Sequence, residues 1–185
     1  GNMSNAVKYF ENLQRILSRI MSEQLDNIEN AARAVADTLI SGGRIHTFGT
    51  GHSHMLAEEI FYRAGGLVNV NPILESSLML HESAAKSTEL ERLEGYGEIL
   101  FEHHSIKQND ILFLFSNSGR NGIPVDMALL AKEKGLTVIA LTSINHSKSG
   151  ASRHRSGKRL FEIADIVLDN MGELGDASVE FPELG

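Results

Sequence analysis

Two short, almost purely apolar segments constrain the fold of this chain more than any other feature. Residues 110–115 (DILFLF) and 137–141 (TVIAL) have the composition of strands that are buried on both faces of a parallel sheet. A helical stretch separates them, beginning near Gly122 and ending in the residues 132–135 (KEKG), with Pro124 in its first turn. Strand, helix and strand in this order predict an α/β protein whose parallel sheet is covered on both sides.

The rest of the chain extends this alternation. Apolar residues recur at three- and four-residue steps over residues 5–40, which predicts one long N-terminal helix ended by the glycines of residues 40–43 (ISGG). That helix carries more than one apolar stripe, so we expect it to contact a second subunit as well as its own domain. Residues 75–86 show no clear pattern. The other expected elements are a strand over 44–48, a helix over about 53–64, a strand region over 65–74 broken by Pro72, a helix over 87–106 and a last strand over 163–168.

Length and composition favour a single soluble domain. The chain has 185 residues and no cysteine, which excludes disulfides, thiolate nucleophiles and cysteine metal sites. Its start has neither a basic region nor an apolar core like those of signal peptides, and its apolar runs fall short of the roughly 18 residues of a membrane span. We therefore expect a cytoplasmic protein with no membrane partner.

Charge is unevenly distributed along the chain. The net charge is −7, yet residues 148–159, here called the basic segment, hold five basic side chains and no acidic one. An acidic body with one short basic segment suits a small anionic ligand better than a nucleic acid, which needs an extended basic face. The alternative is that the segment is a solvated loop. The five residues are Lys148, Arg153, Arg155, Lys158 and Arg159.

Polar residues follow three of the expected strands. The strings GTGHS, SNSGRN and TSINHS come after the strands at 44–48, 110–115 and 137–141. The carboxyl ends of parallel strands share one edge, where ligands of such folds bind. Small residues, hydroxyls and helix amides there suit a phosphate, although each string alone also reads as a turn. The candidate binding residues are Gly49, Thr50, Gly51, Ser53, Ser116, Asn117, Ser118, Gly119, Asn121, Thr142 and Ser143.

Arg120 is a further candidate for this site. It stands at the start of a helix, where its charge opposes the positive end of the dipole unless an anion neutralises it. We expect it to frame the ligand's phosphate or carboxylate together with the basic segment, especially Arg153 and Lys158. The alternative is a surface ion pair with Asp126 or Glu133.

The strings FGTGHS, FSNSGRNG and IALTS together resemble the signature of the sugar isomerase (SIS) domain family. The resemblance covers roughly residues 40–170, and it is closest to small bacterial SIS proteins of unsettled activity. Sedoheptulose-7-phosphate isomerase and N-acetylmuramic acid 6-phosphate etherase are more distant members. The family implies a doubly wound, flavodoxin-like sheet of five parallel strands, a phosphosugar ligand, and a dimer or higher homo-oligomer.

The resemblance also implies roles for individual residues. Ser53, Ser116 and Ser118 would donate to the phosphate, with Asn117 near the sugar. The chain departs from the family at Asn121, where Ser or Thr is usual, but an amide also donates. The expected organisation is an N-terminal helix over 1–40 and an SIS domain over 41–185 that lacks a C-terminal helix of the family.

An aldose–ketose isomerase needs a base for the carbon-bound proton and an acid for the oxygens. The family places a glutamate along the helix after the Gly-rich loop, and counting leads to Arg63. Glu59 lies four residues earlier on the same helix face, so it is the first candidate, unless it merely pairs with Arg63. Glu75 and His54 are the further catalytic candidates, since both fall near the expected cleft.

Other functions fit the sequence less well. The glycines at 49 and 51 lack the third glycine of a dinucleotide fingerprint, and no Gly-Lys-Ser/Thr string indicates a P-loop. The His52/His54 and His103/His104 pairs are poorly spaced for a metal site, so no metal and no cofactor are expected. No nucleic-acid-binding signature accompanies the basic segment. Two functions stay open, a phosphosugar isomerase and a phosphosugar-sensing module without turnover.

Overall fold

The computed structural model describes residues 2–49, 70–73 and 95–171. Its helices are α1 (Asn2–Glu23), α2 (Leu25–Ile40), α3 (Tyr96–His103), α4 (Gly122–Glu133), α5 (Ile144–Lys148) and α6 (Leu160–Ile163). Its strands are β1 (Ile45–Gly49), β2 (Val70–Pro72), β3 (Ile111–Phe115), β4 (Thr137–Thr142) and β5 (Ile166–Asp169). No helix within these ranges is long and apolar enough to cross a bilayer.

The strands form one five-stranded sheet in the order β2-β1-β3-β4-β5, and every neighbouring pair is parallel. This order is the flavodoxin-like one, so the predicted fold class is confirmed. Gly49 pairs with Phe115, and Phe115 pairs with Leu141, so β1, β3 and β4 end together at one edge. The strand order switches between β1 and β3, which places a crevice at their carboxyl ends.

Both faces of the sheet are covered. On one face, Ala31 of α2 packs with Ile45, Ile111 and Ile139. On the other face, α3, α4 and α6 pack on Leu112, Leu114 and their neighbours. Consecutive residues of β3 therefore enter different cores, which is why this strand needs apolar side chains at almost every position.

The prediction of one long N-terminal helix was wrong, because the chain bends at Gln24 between α1 and α2. Gln24 has φ −112° and ψ −2°, and its side chain is turned inward, where Oε1 accepts a hydrogen bond from the Asp169 amide at 3.1 Å. Backbone hydrogen bonds still continue on both sides of the bend, from Gln24 to Ile20 and from Ile28 to Gln24. The bend thus ties the helix junction to the end of β5.

Three other boundaries differ from the prediction. Helix α3 ends at His103 rather than at residue 106, because Ser105 adopts a left-handed conformation with φ 53°. Ile163 closes α6, and β5 begins at Ile166. Pro72 lies inside β2 rather than breaking it, which is tolerated because β2 is an edge strand. The expected helix over 53–64 lies outside the described residues.

A buried hydrogen-bond network joins the amino ends of the strands, opposite the edge that carries the polar loops. His46 Nε2 lies 2.8 Å from Asp110 Oδ2, and Asn71 Nδ2 lies 3.0 Å from His46 Nδ1. Burial lowers the pKa of His46, although Asp110 opposes this. Burial would raise the pKa of Asp110, but hydrogen bonds from His46 and from the Lys107 and Arg44 amides lower it. A neutral His46 that donates from Nε2 to an ionised Asp110 satisfies these contacts.

Candidate functional site

The structure brings most of the described candidate residues together at the carboxyl edge of the sheet. Residues 116–121, here called the Ser-Gly loop, follow β3 and lead into α4. Gly49 ends β1 beside Phe115, and Thr142 ends β4. The Ser-Gly loop therefore lies beside the crevice between β1 and β3, where ligands of this topology bind.

The Ser-Gly loop depends on a glycine at its centre. Gly119 has φ 59°, and its amide donates to Ser116 Oγ at 3.1 Å. A Cβ atom built at Gly119 would lie 2.7 Å from Ser147 Oγ and 2.9 Å from Thr142 Oγ1. Both the left-handed backbone and the close packing require glycine here.

The start of α4 faces the site without a side-chain cap from its own N-cap residue. Asn121 precedes the helix, but its Oδ1 accepts from Arg153 Nη1 at 2.8 Å and does not bond the first helical amides. The first turn of a helix has amides with no intrahelical acceptor, and its dipole favours an anion there. Ser118 stands just before it, half-buried, with Oγ 3.5 Å from the Arg120 amide. That contact is weak, so the hydroxyl keeps its capacity for another partner.

Thr142 and Ser143 are fully buried and bonded within the protein. Thr142 Oγ1 lies 3.3 Å from the Asn117 carbonyl and 3.2 Å from Ser147 Oγ. Ser143 Oγ caps α5 by accepting from the His146 amide at 3.1 Å. Both residues therefore hold the Ser-Gly loop and α5 in place.

A chain of side-chain hydrogen bonds crosses the site and ends on His146. Asn170 Nδ2 donates to Asn117 Oδ1 at 2.9 Å, and Asn117 Nδ2 lies 3.2 Å from His146 Nδ1. The His146 side chain is exposed on α5. Sequence reasoning singled out neither His146 nor Asn170 as a site residue. The string TSINHS contains His146, but the residues that meet it come from other strand ends.

Arg120 turns toward this histidine rather than toward the carboxylates that were its alternative partners. Its Nη2 lies 3.5 Å from His146 Nε2, and its guanidinium packs against Gly150. Asp126 instead contacts His154 and the Gly95 amide. The Arg120 Nε is buried with no hydrogen-bond partner among the described residues.

The basic segment is anchored over the Ser-Gly loop, so it is not a loosely solvated loop. The Arg153 amide donates to the Arg120 carbonyl at 2.8 Å, and just beyond the segment the Leu160 amide donates to the Gly119 carbonyl at 2.8 Å. Inside the segment, His154 is buried and pairs with Asp126 of α4. Next to the segment, the hydrogen bond from Arg159 lowers the pKa of Glu162. The backbone connections place basic side chains beside the start of α4.

Several sequence candidates lie outside the described residues and remain predictions. They are the loop residues Thr50, Gly51 and Ser53 and the catalytic candidates His54, Glu59 and Glu75. Among the residues that are described, no group of three or more His, Asp or Glu side chains could hold a metal ion.

Comparison with solved structures supports the fold. A phosphoheptose isomerase from Francisella tularensis superimposes with a TM-score of 0.68 at 20% identity, covering 94% of this chain and 91% of that one. A phosphoheptose isomerase from Neisseria gonorrhoeae gives a TM-score of 0.67 at 17% identity, covering 92% and 86%. At these identities the likeness establishes the shared fold.

Sequence comparison gives the family. The chain is 46% identical over 177 residues to a UPF0309 protein of Geobacillus kaustophilus, covering 96% of this chain and 70% of the relative. It is 47% identical over 183 residues to a UPF0309 protein of Shouchella clausii, covering 98% and 74%. Residues 8–143 match the family model of the SIS domain. The chain therefore belongs to the SIS domain family, as its three strand-end strings predicted.

Proposed function

We propose that this protein binds a phosphorylated sugar at the carboxyl edge of its sheet and interconverts its aldose and ketose forms. The observation that carries the proposal is the start of α4. There a glycine-centred loop, a hydroxyl with only a weak contact and an arginine meet helical amides that Asn121 does not cap. This constellation lies at the switch point of the strand order, between β1 and β3.

The phosphate is assigned to the Ser-Gly loop. Ser118 Oγ and the amides that open α4 donate to it, and Arg120 supplies positive charge. Gly49, Thr50, Gly51 and Ser53 complete the cradle from the end of β1. Helix amides and small hydroxyls are the usual donors to phosphate in proteins, because they approach closely without crowding it.

We assign a supporting role to the buried hydroxyls of the predicted set. Ser116 is 4% exposed and its Oγ accepts from the Gly119 amide, while Thr142 and Ser143 are fully buried and bonded internally. Asn121 likewise is held by Arg153. These residues shape the loop that contacts the ligand.

Glu59, Glu75 and His54 remain the candidates for proton transfer. Isomerisation removes a proton from the carbon beside the carbonyl, passes through an enediol and returns the proton to the neighbouring carbon. A carboxylate suits the carbon-bound proton and a histidine suits the oxygens. The names of the two solved neighbours, both phosphoheptose isomerases, favour this reaction class.

The binding part of the proposal is tested by substituting Ser118 with alanine. One hydrogen bond to a charged group contributes about 1.5–3 kcal/mol, so Ser118→Ala should weaken sugar-phosphate binding roughly tenfold or more. Ser41→Ala is the matched control, because Ser41 is exposed and precedes β1 at the opposite edge. Calorimetric titration with five- to seven-carbon sugar phosphates gives the affinities. Equal affinity of the wild type and Ser118→Ala would show that the cradle is misplaced.

Turnover is tested separately by incubating the protein with the same sugar phosphates in heavy water. An isomerase incorporates deuterium at carbon 2 of its substrate, and Glu59→Gln should slow this incorporation if Glu59 is the base. Binding without incorporation would favour the alternative, a phosphosugar-sensing module that regulates without turnover.

A further inference from the structure

His146 is the histidine of the described site whose ring is oriented by a chain of amides. Asn170 donates through Nδ2 to Asn117 Oδ1, which determines how the Asn117 amide is turned. The opposite end of that amide, Nδ2, faces His146 Nδ1 at 3.2 Å. The ring position therefore follows from β5 and β3 as well as from α5 itself.

The same chain determines the tautomer. Asn117 Nδ2 is a donor, so His146 Nδ1 must accept, and the proton of the neutral ring lies on Nε2. The ring is exposed, and Nε2 lies 3.5 Å from Arg120 Nη2. Two donors thus stand side by side, the guanidinium of Arg120 and the Nε2–H of His146. Neighbouring donors require an acceptor between them or in front of them.

We propose that His146 donates its Nε2 proton in a hydrogen bond to a sugar oxygen of the bound phosphosugar, and that Asn117 and Asn170 are positioning residues for it. This inference rests on the proposed phosphosugar function. Arg120 takes the phosphate, and His146 takes a hydroxyl or carbonyl oxygen of the sugar next to it. Asn117 therefore acts on the sugar through His146 rather than by direct contact, since both ends of its amide are occupied.

The chemistry fits the carbonyl end of a sugar. A neutral imidazole that donates from a fixed position stabilises the negative charge that develops on oxygen when a neighbouring carbon loses its proton. The ring keeps its own proton throughout this step. The contact also distinguishes a phosphosugar from free phosphate, which has no sugar oxygen to offer.

The experiment compares the binding of inorganic phosphate with the binding of fructose 6-phosphate and sedoheptulose 7-phosphate. Loss of one uncharged hydrogen bond weakens binding by about three- to tenfold. We expect His146→Ala to weaken the binding of sugar phosphates to this extent and to leave inorganic phosphate within about twofold. His146→Gln, which can present an amide near the Nε2 position, should recover most of the loss, and Asn170→Ala should show an intermediate loss. His103→Ala is the matched control, on exposed α3 before β3 begins.

The outcomes separate this inference from the function on which it rests. If wild type binds these sugar phosphates no more tightly than inorganic phosphate, the proposed function fails and the role of His146 fails with it. If wild type prefers sugar phosphates and His146→Ala keeps the full preference, only the role of His146 is overturned. An equal loss for inorganic phosphate would place His146 in the phosphate cradle, which also contradicts the inference.

Discussion

Gly119 shows at the scale of one residue how backbone conformation determines the candidate site. A Cβ atom here would meet two buried hydroxyls, and a left-handed backbone costs a residue such as alanine about 1–2 kcal/mol. We expect Gly119→Ala to lower the free energy of unfolding by more than this backbone cost and to abolish sugar-phosphate binding. Gly42→Ala is the control, because Gly42 has φ 82° and nothing within 4 Å of a built Cβ atom. Chemical denaturation should show a larger loss for Gly119→Ala, and equal losses would contradict the packing argument.

Arg120 is the residue that tests whether charge matters at the site. We expect Arg120→Ala to lower affinity for phosphorylated sugars and to leave the weak binding of the corresponding neutral sugars unchanged. The physical reason is that a guanidinium interacts far more strongly with a phosphate than with a hydroxyl. Calorimetry with matched pairs of phosphorylated and unphosphorylated sugars measures both effects. Equal losses for the two ligands would mean that Arg120 contributes packing rather than charge.

At the scale of elements, the N-terminal helices carry exposed apolar side chains. Phe10, Leu17 and Met21 of α1 are 65%, 58% and 62% exposed and lie at steps of seven and four residues, which brings them to one stripe. We expect this stripe to contact a second copy of the chain, so that the protein sediments as a dimer or larger. Leu17→Glu should shift it toward monomer at micromolar concentration. Ile99→Glu, on the equally exposed α3 position at 62%, should not.

A stable wild-type monomer in sedimentation would contradict this expectation directly. An equal effect of Leu17→Glu and Ile99→Glu would indicate a general loss of solubility rather than a specific contact.

The elements also show which parts of the fold could be predicted from sequence. The strands β3 and β4 were predictable because both of their faces are buried, which requires the apolar runs at 110–115 and 137–141. The bend at Gln24 was not, since a glutamine suits a helix and its reason for bending is a contact with Asp169, far along the chain. The Ser-Gly loop was predicted because small residues at a strand end have a local reason. His146 was missed because its partners Asn117 and Asn170 meet it only in the folded protein.

At the scale of the whole molecule, stability should depend on pH through the buried pair of His46 and Asp110. The pKa of His46 is lowered in the folded protein, so the unfolded chain binds a proton below about pH 6.5 that the folded chain does not. Its contribution is therefore complete above about pH 6.5 and decreases as the pH falls. Asp110, whose pKa is also lowered, adds a second loss below about pH 3.9.

The variant His46→Gln isolates the first of these contributions, because glutamine does not titrate. We expect the difference in unfolding free energy between wild type and His46→Gln to shrink as the pH falls from 7.5 to 5. Urea denaturation at each pH measures this difference. A constant difference across that range would mean that His46 titrates alike in the folded and unfolded chains.

The position of a bound phosphorus atom tests the central proposal most directly. A crystal of the protein with a sugar phosphate should show the phosphate at the start of α4, with an oxygen about 3 Å from Ser118 Oγ and the Arg120 guanidinium beside it. A phosphate found away from both Ser116 and Ser118 would contradict the proposal. The cavity of about 310 Å³ near Asp126 and His154, between α4 and the basic segment, is one such place.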